Sequence, residues 1–204
     1  MRGAFITVEG IDGSGKSTVV DYIQQHHSDV YCTAEPSEHF TGGWASQCIE
    51  SDETSPLTDF FLLQADRSYH LREEIMPRLE SGQTVVCDRY IDSTRAYQRE
   101  LLQQTDSFAD RDGVDACIEP VMSRFIQPNA VIYLDVPADV ALDRIDADDS
   151  YERRELLESV RSNYISMVDE RSEMKRVDAQ RSASDVCKGV SNLIELFEAD
   201  LYDR

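Results

Sequence analysis

The sequence predicts a three-layer α/β fold in which a central five-stranded parallel sheet is flanked by helices. Two observations carry that expectation. Five short apolar runs alternate with longer segments of helical period, the signature of strand–helix–strand units. The runs are also rich in β-branched residues, as in Ala-Val-Ile-Tyr-Leu-Asp-Val at 130–136, which suits strands buried on both faces. A chain of 204 residues can bury one continuous core, so one domain spanning 1–204 is expected.

Taken in order, the strands fall at Ala4 to Glu9, Val30 to Ala34, Thr84 to Asp88, Ala130 to Val136 and Met174 to Asp178. Helical periodicity covers Lys16 to His27, Pro56 to Ser81, Ser93 to Gln104, Val114 to Phe125, Ala138 to Arg144, Tyr151 to Glu173 and Ser182 to Tyr202. Two segments break the pattern and read as mobile: Ser37 to Thr54, with Gly42-Gly43 inside it, and the acidic stretch Asp146 to Ser150.

Composition narrows the function. The formal charge is −20, from 40 acidic against 20 basic residues, and only three of the basic residues are lysines. Such a surface repels nucleic-acid phosphates and anionic lipid, so neither is expected as a partner. The acidic excess is spread along the chain, as in a surface solvated at high salt, and points to a halophile. No run reaches the roughly 18–20 apolar residues of a membrane helix. Met1-Arg2-Gly3 leads straight into a strand without a signal-like segment, so a cytoplasmic protein is expected. Five scattered cysteines without a CxxC pair read as reduced thiols, and the adjacent His26 and His27 have no metal-ligand spacing to other candidates.

The chemistry enters at Gly10-Ile11-Asp12-Gly13-Ser14-Gly15-Lys16-Ser17, which fits GxxxxGK[ST] directly after a strand and before a helix. Glycines let backbone N–H groups curl around phosphates, and the helix N-terminus adds its positive end. Lys16 would reach the β- and γ-phosphates of a nucleoside triphosphate, and the Ser17 hydroxyl would ligate Mg²⁺. The motif in this context predicts a P-loop NTPase fold that binds a nucleoside triphosphate with Mg²⁺. Asp88-Arg89 ends the third strand, where a carboxylate can organise metal and an arginine can contact phosphate. Asp66-Arg67, inside a helical segment, is ambiguous by itself and reads more readily as a solvated face than as a functional pair. A guanine-binding switch would need Asn-Lys-x-Asp, which the sequence lacks; Asp110-Arg111-Asp112-Gly113 matches Asp-x-x-Gly but sits away from any strand end.

Several of these pieces occur in the order that thymidylate kinases have them: Phe5 to Thr18, Thr33-Ala34-Glu35-Pro36, Ala65-Asp66-Arg67, Asp88-Arg89-Tyr90-Ile91-Asp92-Ser93-Thr94-Arg95-Ala96-Tyr97-Gln98 and Tyr151-Glu152-Arg153. The chain resembles that family over nearly its whole length, and Asp88 to Gln98 is the most specific stretch. The resemblance implies transfer of the γ-phosphoryl of ATP to dTMP by a homodimer; another nucleoside monophosphate or deoxynucleoside kinase is the alternative. It places Gly10, Ile11, Asp12, Gly13, Ser14, Gly15, Lys16, Ser17 and Thr18 around the donor phosphates. Arg67 and Arg89 would hold the monophosphate, Asp12 and Asp88 would organise phosphate and metal, and Tyr97 would lie against the deoxyribose. Glu35 and Pro36 would line the acceptor pocket, with Thr94 near the base.

Three departures from the family pattern bear on the site. Leu63 stands where many members stack an aromatic ring on thymine, with Phe60 about one turn earlier as a substitute. Ala34 replaces the arginine of Thr-Arg-Glu-Pro. The candidate lid, about 145–152, is short and acidic, which leaves the flanking Arg153, ahead of Arg144, to serve the transferred phosphoryl group.

Overall fold

The computed structural model describes residues 2–51, 53–145 and 151–202. Five strands, β1 (Phe5–Glu9), β2 (Val30–Ala34), β3 (Thr84–Asp88), β4 (Ala130–Asp135) and β5 (Met174–Asp178), form one sheet in the order β2-β3-β1-β4-β5. Every pairing is parallel, with Val8 opposite Asp88 on one side of β1 and Ile132 on the other. The three inner strands are buried along their whole length, and the edge strands β2 and β5 are partly open.

The helices are α1 (Lys16–His26), α2 (Phe40–Ser51), α3 (Pro56–His70), α4 (Met76–Glu80), α5 (Ile91–Ser93), α6 (Arg99–Gln103), α7 (Arg111–Met122), α8 (Ala138–Ile145), α9 (Tyr151–Glu170) and α10 (Ala183–Tyr202). Strand side chains alternate between the faces. Ile6, Val8 and Val86 therefore pack with α1, α8, α9 and α10, while Phe5, Val85 and Cys87 pack with α3, α4, α6 and α7. These are the three layers expected from the sequence. The register brings the C-terminal ends of all five strands to one edge, where α/β sheets bind ligands.

Differences from the sequence expectations have local causes. The segment from Ser37 to Thr54 is not irregular: most of it is α2. A Cβ on Gly42 would lie 2.0 Å from the Ser37 carbonyl oxygen, so that glycine permits the close approach of helix and loop despite its low helix propensity. The helix expected over Pro56 to Ser81 is interrupted by a π-helical turn at Leu71–Ile75, and the Met76 N–H bonds Leu71 O. Pro77 follows directly, and the wider turn relieves the clash its ring would make with a preceding carbonyl. A second π-turn, Thr94–Gln98, links α5 to α6 and carries Thr94 and Tyr97. Asp110 caps α7, accepting the Gly113 N–H at 2.9 Å, which gives Asp110-Arg111-Asp112-Gly113 a helix-capping role. Asp146 to Ser150, and with it most of the expected lid, lies outside the described residues.

Candidate active site

The site begins where β1 gives way to α1. Gly10, Gly13 and Gly15 have φ of 152°, 77° and 95°, which glycine adopts without a Cβ penalty. The first two are also fixed by close packing: a Cβ on Gly10 would lie 2.8 Å from Leu134 O, and one on Gly13 would lie 2.2 Å from Ala141 O. At Gly15 no heavy atom lies within 4 Å of that position, so the loop opens there into free space. The first turn of α1 receives no side-chain cap. Free N–H groups at such a helix start favour an anion, and beside them the buried Ser14 hydroxyl has no hydrogen-bond partner among the described residues.

Lys16 is buried and folds back on the loop, donating from Nζ to Gly10 O at 3.0 Å and to Ile11 O at 2.9 Å. Burial, and then the nearby Arg89 charge, push its pKa down from 10.5 to about 8. The carbonyls of Gly10 and Ile11 thus hold the lysine against the loop.

Asp88, at the end of β3, accepts the Ser17 hydroxyl through Oδ2 at 3.2 Å. Its Oδ1 is buried and has no hydrogen-bond partner among the described residues. Next to it, Arg89 sits in the left-handed region at φ 68°. The Arg89 guanidinium pairs with Asp12, reaches Ser93 Oγ at 3.3 Å and lies 5.2 Å from the centre of the Tyr97 ring. The Tyr97 hydroxyl accepts the Asp12 N–H at 2.9 Å. Burial would lower the Arg89 pKa, but Tyr97, Asp12, Tyr164 and Asp88 together raise it.

The structure resolves the double reading of Asp66-Arg67 in favour of buried work. Asp66 accepts three hydrogen bonds, from Ser37 N–H at 2.7 Å and Ser37 Oγ at 2.6 Å in the loop after β2, and from Thr41 Oγ1 at 2.7 Å in the first turn of α2. Arg67 grips the same loop two residues earlier, pairing Nε and Nη2 with Glu35 Oε2, both at 2.7 Å. Its Nη1 donates to Gln64 Oε1 at 2.6 Å and Thr94 Oγ1 at 3.0 Å, and its plane lies 5.0 Å from the Tyr90 ring centre. The Glu35–Pro36 peptide between the two grips is cis. Behind Glu35, His70 is fully buried, 3.4 Å from Glu35 Oε1 and 3.5 Å from Glu74 Oε1, and it shares a 2.8 Å hydrogen bond with Thr33.

A cavity of about 960 Å³ runs along this edge of the sheet. Of the expected residues it gathers Asp12 to Thr18, Glu35, Asp88, Arg89 and Arg153. Gly10 and Ile11 lie behind the loop, and Tyr97 stands one layer back, against Asp12 and Arg89. Arg67 and Thr94 form the layer behind Glu35 and, like Pro36 and Leu63, are not part of the described cavity wall. Phe60 is wholly buried in the core, so it does not substitute for the missing ring at Leu63. The sequence reading missed the far end of the cavity, formed by Ala179, Arg181, Ala183, Val186 and Cys187. The signal was present: Arg181 follows the end of β5 in a strand–turn–helix step, much as Arg89 follows β3. Arg144 also lines the wall and donates to Gly13 O at 3.4 Å and Ala179 O at 2.8 Å, bridging the glycine loop to that end.

The comparisons agree with this geometry. The profile of the thymidylate kinase family matches residues 8–190. A "Probable thymidylate kinase" of Halorubrum lacusprofundi is 36% identical over 191 residues, covering 93% of this chain and 96% of its own. The "Probable thymidylate kinase" of Natronomonas pharaonis is also 36% identical, over 194 residues with 93% and 96% coverage. The "Thymidylate kinase" of Bacillus cytotoxicus is 34% identical over 214 residues, with 96% and 98% coverage. With a phosphate cradle after β1, an Asp-Arg pair after β3 and a match along nearly all its length, the chain belongs to the thymidylate kinase family.

Proposed function

We propose that the protein transfers the γ-phosphoryl group of ATP to dTMP, giving dTDP and ADP. The observation that carries this reading is the single cavity that joins a glycine cradle at Gly13 to Lys16 with an acceptor wall at Glu35, Asp88 and Arg89. Donor and acceptor phosphates can meet there in line, which is most of what phosphoryl transfer asks of a protein.

In this mechanism the backbone N–H groups of the cradle bind the donor phosphates. Lys16 leaves the carbonyls of Gly10 and Ile11 and extends onto the β- and γ-phosphates. Arg89, braced by Asp12 and Ser93, aligns the acceptor phosphate, and Arg153 approaches the transferred group from the start of α9. No strong base is needed, because the attacking phosphate oxygen is already anionic. Glu35, held by Arg67 and His70, shapes the acceptor wall, and Thr94 and Tyr97 support it from behind.

Mg²⁺ fits the site on the evidence of Asp88, whose buried Oδ1 lacks a partner among the described residues and adjoins the Ser17 hydroxyl. Ser17 and Asp88 would hold the ion, directly or through water, and the ion would draw negative charge from the bridging phosphates. The protein works as one catalytic domain. The homodimer has a candidate face where Phe40 and Trp44 of α2 and Phe61 of α3 stand exposed at 57%, 60% and 56%. The composition suits a cytoplasm rich in salt.

The test is an ADP-release assay at high KCl with ATP and Mg²⁺, offering thymidylate, deoxyuridylate, uridylate, cytidylate and adenylate separately. Preference for thymidylate, abolished by Lys16→Ala, is the expected result. A preference for another monophosphate overturns the assignment of the acceptor and leaves the phosphoryl chemistry standing.

A further inference from the structure

The last residue of β1, Glu9, is a carboxylate inside the sheet. All five residues of β1 are buried, and Glu9 has no exposed surface. A charge there costs several kcal/mol of desolvation unless its partners repay it. Burial, and then the Asp92 charge, raise the pKa of this group to about 7, while hydrogen bonds from Ser93 and Tyr164 act in the opposite sense. Nothing in the packing of a parallel strand requires an acid at this position.

Its partners show where the cost is spent. Oε1 accepts the Tyr90 N–H at 2.8 Å, and Oε2 accepts the Ser93 hydroxyl at 2.7 Å and the Tyr164 hydroxyl at 2.9 Å. Two of these three donors, Tyr90 and Ser93, follow Arg89 within one helical turn. The left-handed backbone of Arg89, at φ 68°, costs a non-glycine residue roughly 1–2 kcal/mol. That conformation turns the following peptide N–H, that of Tyr90, toward the Glu9 carboxylate. Ser93 in turn receives Arg89 Nη1 at 3.3 Å, so Glu9 secures both the main chain and the guanidinium of Arg89. Because Glu9 directly precedes Gly10, the same residue ties the position of Arg89 to that of the phosphate cradle.

We infer that Glu9 is a positioning residue for phosphoryl transfer, which registers Arg89 against the glycine loop through the Tyr90 N–H and the Ser93 hydroxyl. The inference rests on the role proposed above for Arg89 and deepens it: alignment of donor and acceptor would depend on a buried acid that touches neither nucleotide. Tyr164, from α9, completes the acid's shell and stacks on Tyr133 of β4 at 4.9 Å, which fixes the third side of the arrangement.

The test is a double-mutant cycle on the full chain with Glu9→Gln and Arg89→Lys, reading kcat, KM for ATP, KM for thymidylate and Tm. Glutamine keeps the shape and one acceptor oxygen but loses the charge. Since displacement of a catalytic group by about 1 Å can cost 10²-fold, Glu9→Gln alone should lower kcat by about 30-fold, with KM for ATP within about twofold. In the Arg89→Lys background the same change should cost less than about threefold, because the group it positions is already lost. An equal factor in both backgrounds refutes the role of Glu9, since a merely structural residue acts additively. If Arg89→Lys alone leaves kcat unchanged, the reading of Arg89 fails instead. Should Glu9→Gln not fold, Ser93→Ala replaces it in the cycle with the same criteria.

Discussion

The glycine loop makes a prediction that separates packing from ligand space. Gly13 and Gly15 both have positive φ, 77° and 95°, so alanine at either pays roughly 1–2 kcal/mol for the left-handed backbone. They differ in what a methyl group meets. At Gly13 the new Cβ would lie 2.2 Å from Ala141 O and 2.8 Å from Ala141 C, both backbone atoms of α8. No side chain can swing aside, so the loop and α8 must separate by about 1 Å, a displacement that can cost about 10²-fold in rate. Overpacking of this kind adds about 1–3 kcal/mol to the backbone cost. Gly13→Ala should therefore lose about 2–5 kcal/mol, which for a chain of this size lowers Tm by roughly 5–15 °C. At Gly15 nothing lies within 4 Å, so Gly15→Ala should cost stability only through φ, about 3–6 °C, while its methyl group enters the phosphate space. Thermal denaturation without nucleotide and ADP-release kinetics, run on both variants, read the two effects. Equal Tm losses, or a Gly13→Ala enzyme with native Tm and kcat, would refute the argument.

Three further outcomes are expected. Glu35→Gln leaves the Arg67 guanidinium, 3% exposed, without a charged partner and should cost about 3 kcal/mol in denaturant unfolding together with a raised KM for thymidylate. Burial opposes protonation of His70, but the hydrogen bond and charge of Glu35, followed by Glu74 and Asp66, raise its pKa above the ordinary 6.5. A raised histidine contributes stability that is complete below 6.5 and is lost as pH rises through the folded value, so His70→Gln should flatten that part of the stability–pH curve. A wild-type curve with no such decline would contradict the geometry. Leu63→Phe supplies a ring for stacking and should lower KM for thymidylate by about three- to tenfold, on the scale of one aromatic pair, with KM for ATP as the internal control.

How far the site was legible depended on whether the constraint was local. The loop from Gly10 to Ser17 was readable because backbone sterics dictate its glycines whatever surrounds them. Asp88-Arg89 was readable because a strand end in a parallel sheet faces the ligand edge. The helix α2 was not, since Gly42-Gly43 argues against helix by propensity, and the reason for Gly42 lies in the Ser37 backbone five residues away. Glu9 was hidden for a similar reason. At the end of an apolar strand it reads as punctuation, and only the β1–β3 register brings it beside Tyr90 and Ser93. The end of the cavity around Arg181 was overlooked because, apart from that arginine, its wall is assembled from small side chains after β5 and on the first turns of α10 that form no motif.

The adjacency of Asp66 and Arg67 shows why a sequence pair can be ambiguous and a structure can settle it. Successive residues on a helix point about 100° apart, so on an exposed helix they share no target. Here the chain after β2 bends around α3, and the two directions meet successive parts of it: Arg67 takes Glu35 in the loop, and Asp66 takes Ser37 in the loop and Thr41 at the start of α2. Opposite charges on the helix match opposite needs of that segment, a carboxylate at Glu35 and donors at Ser37 and Thr41. One turn of α3 thereby fixes the acceptor wall at two points, and Leu63 lies one turn earlier on the same helix. On the proposed function, acceptor alignment and base contact would both be carried by this single rigid element, so a change that tilts α3 should alter KM for the nucleotide monophosphate before it alters the affinity for ATP.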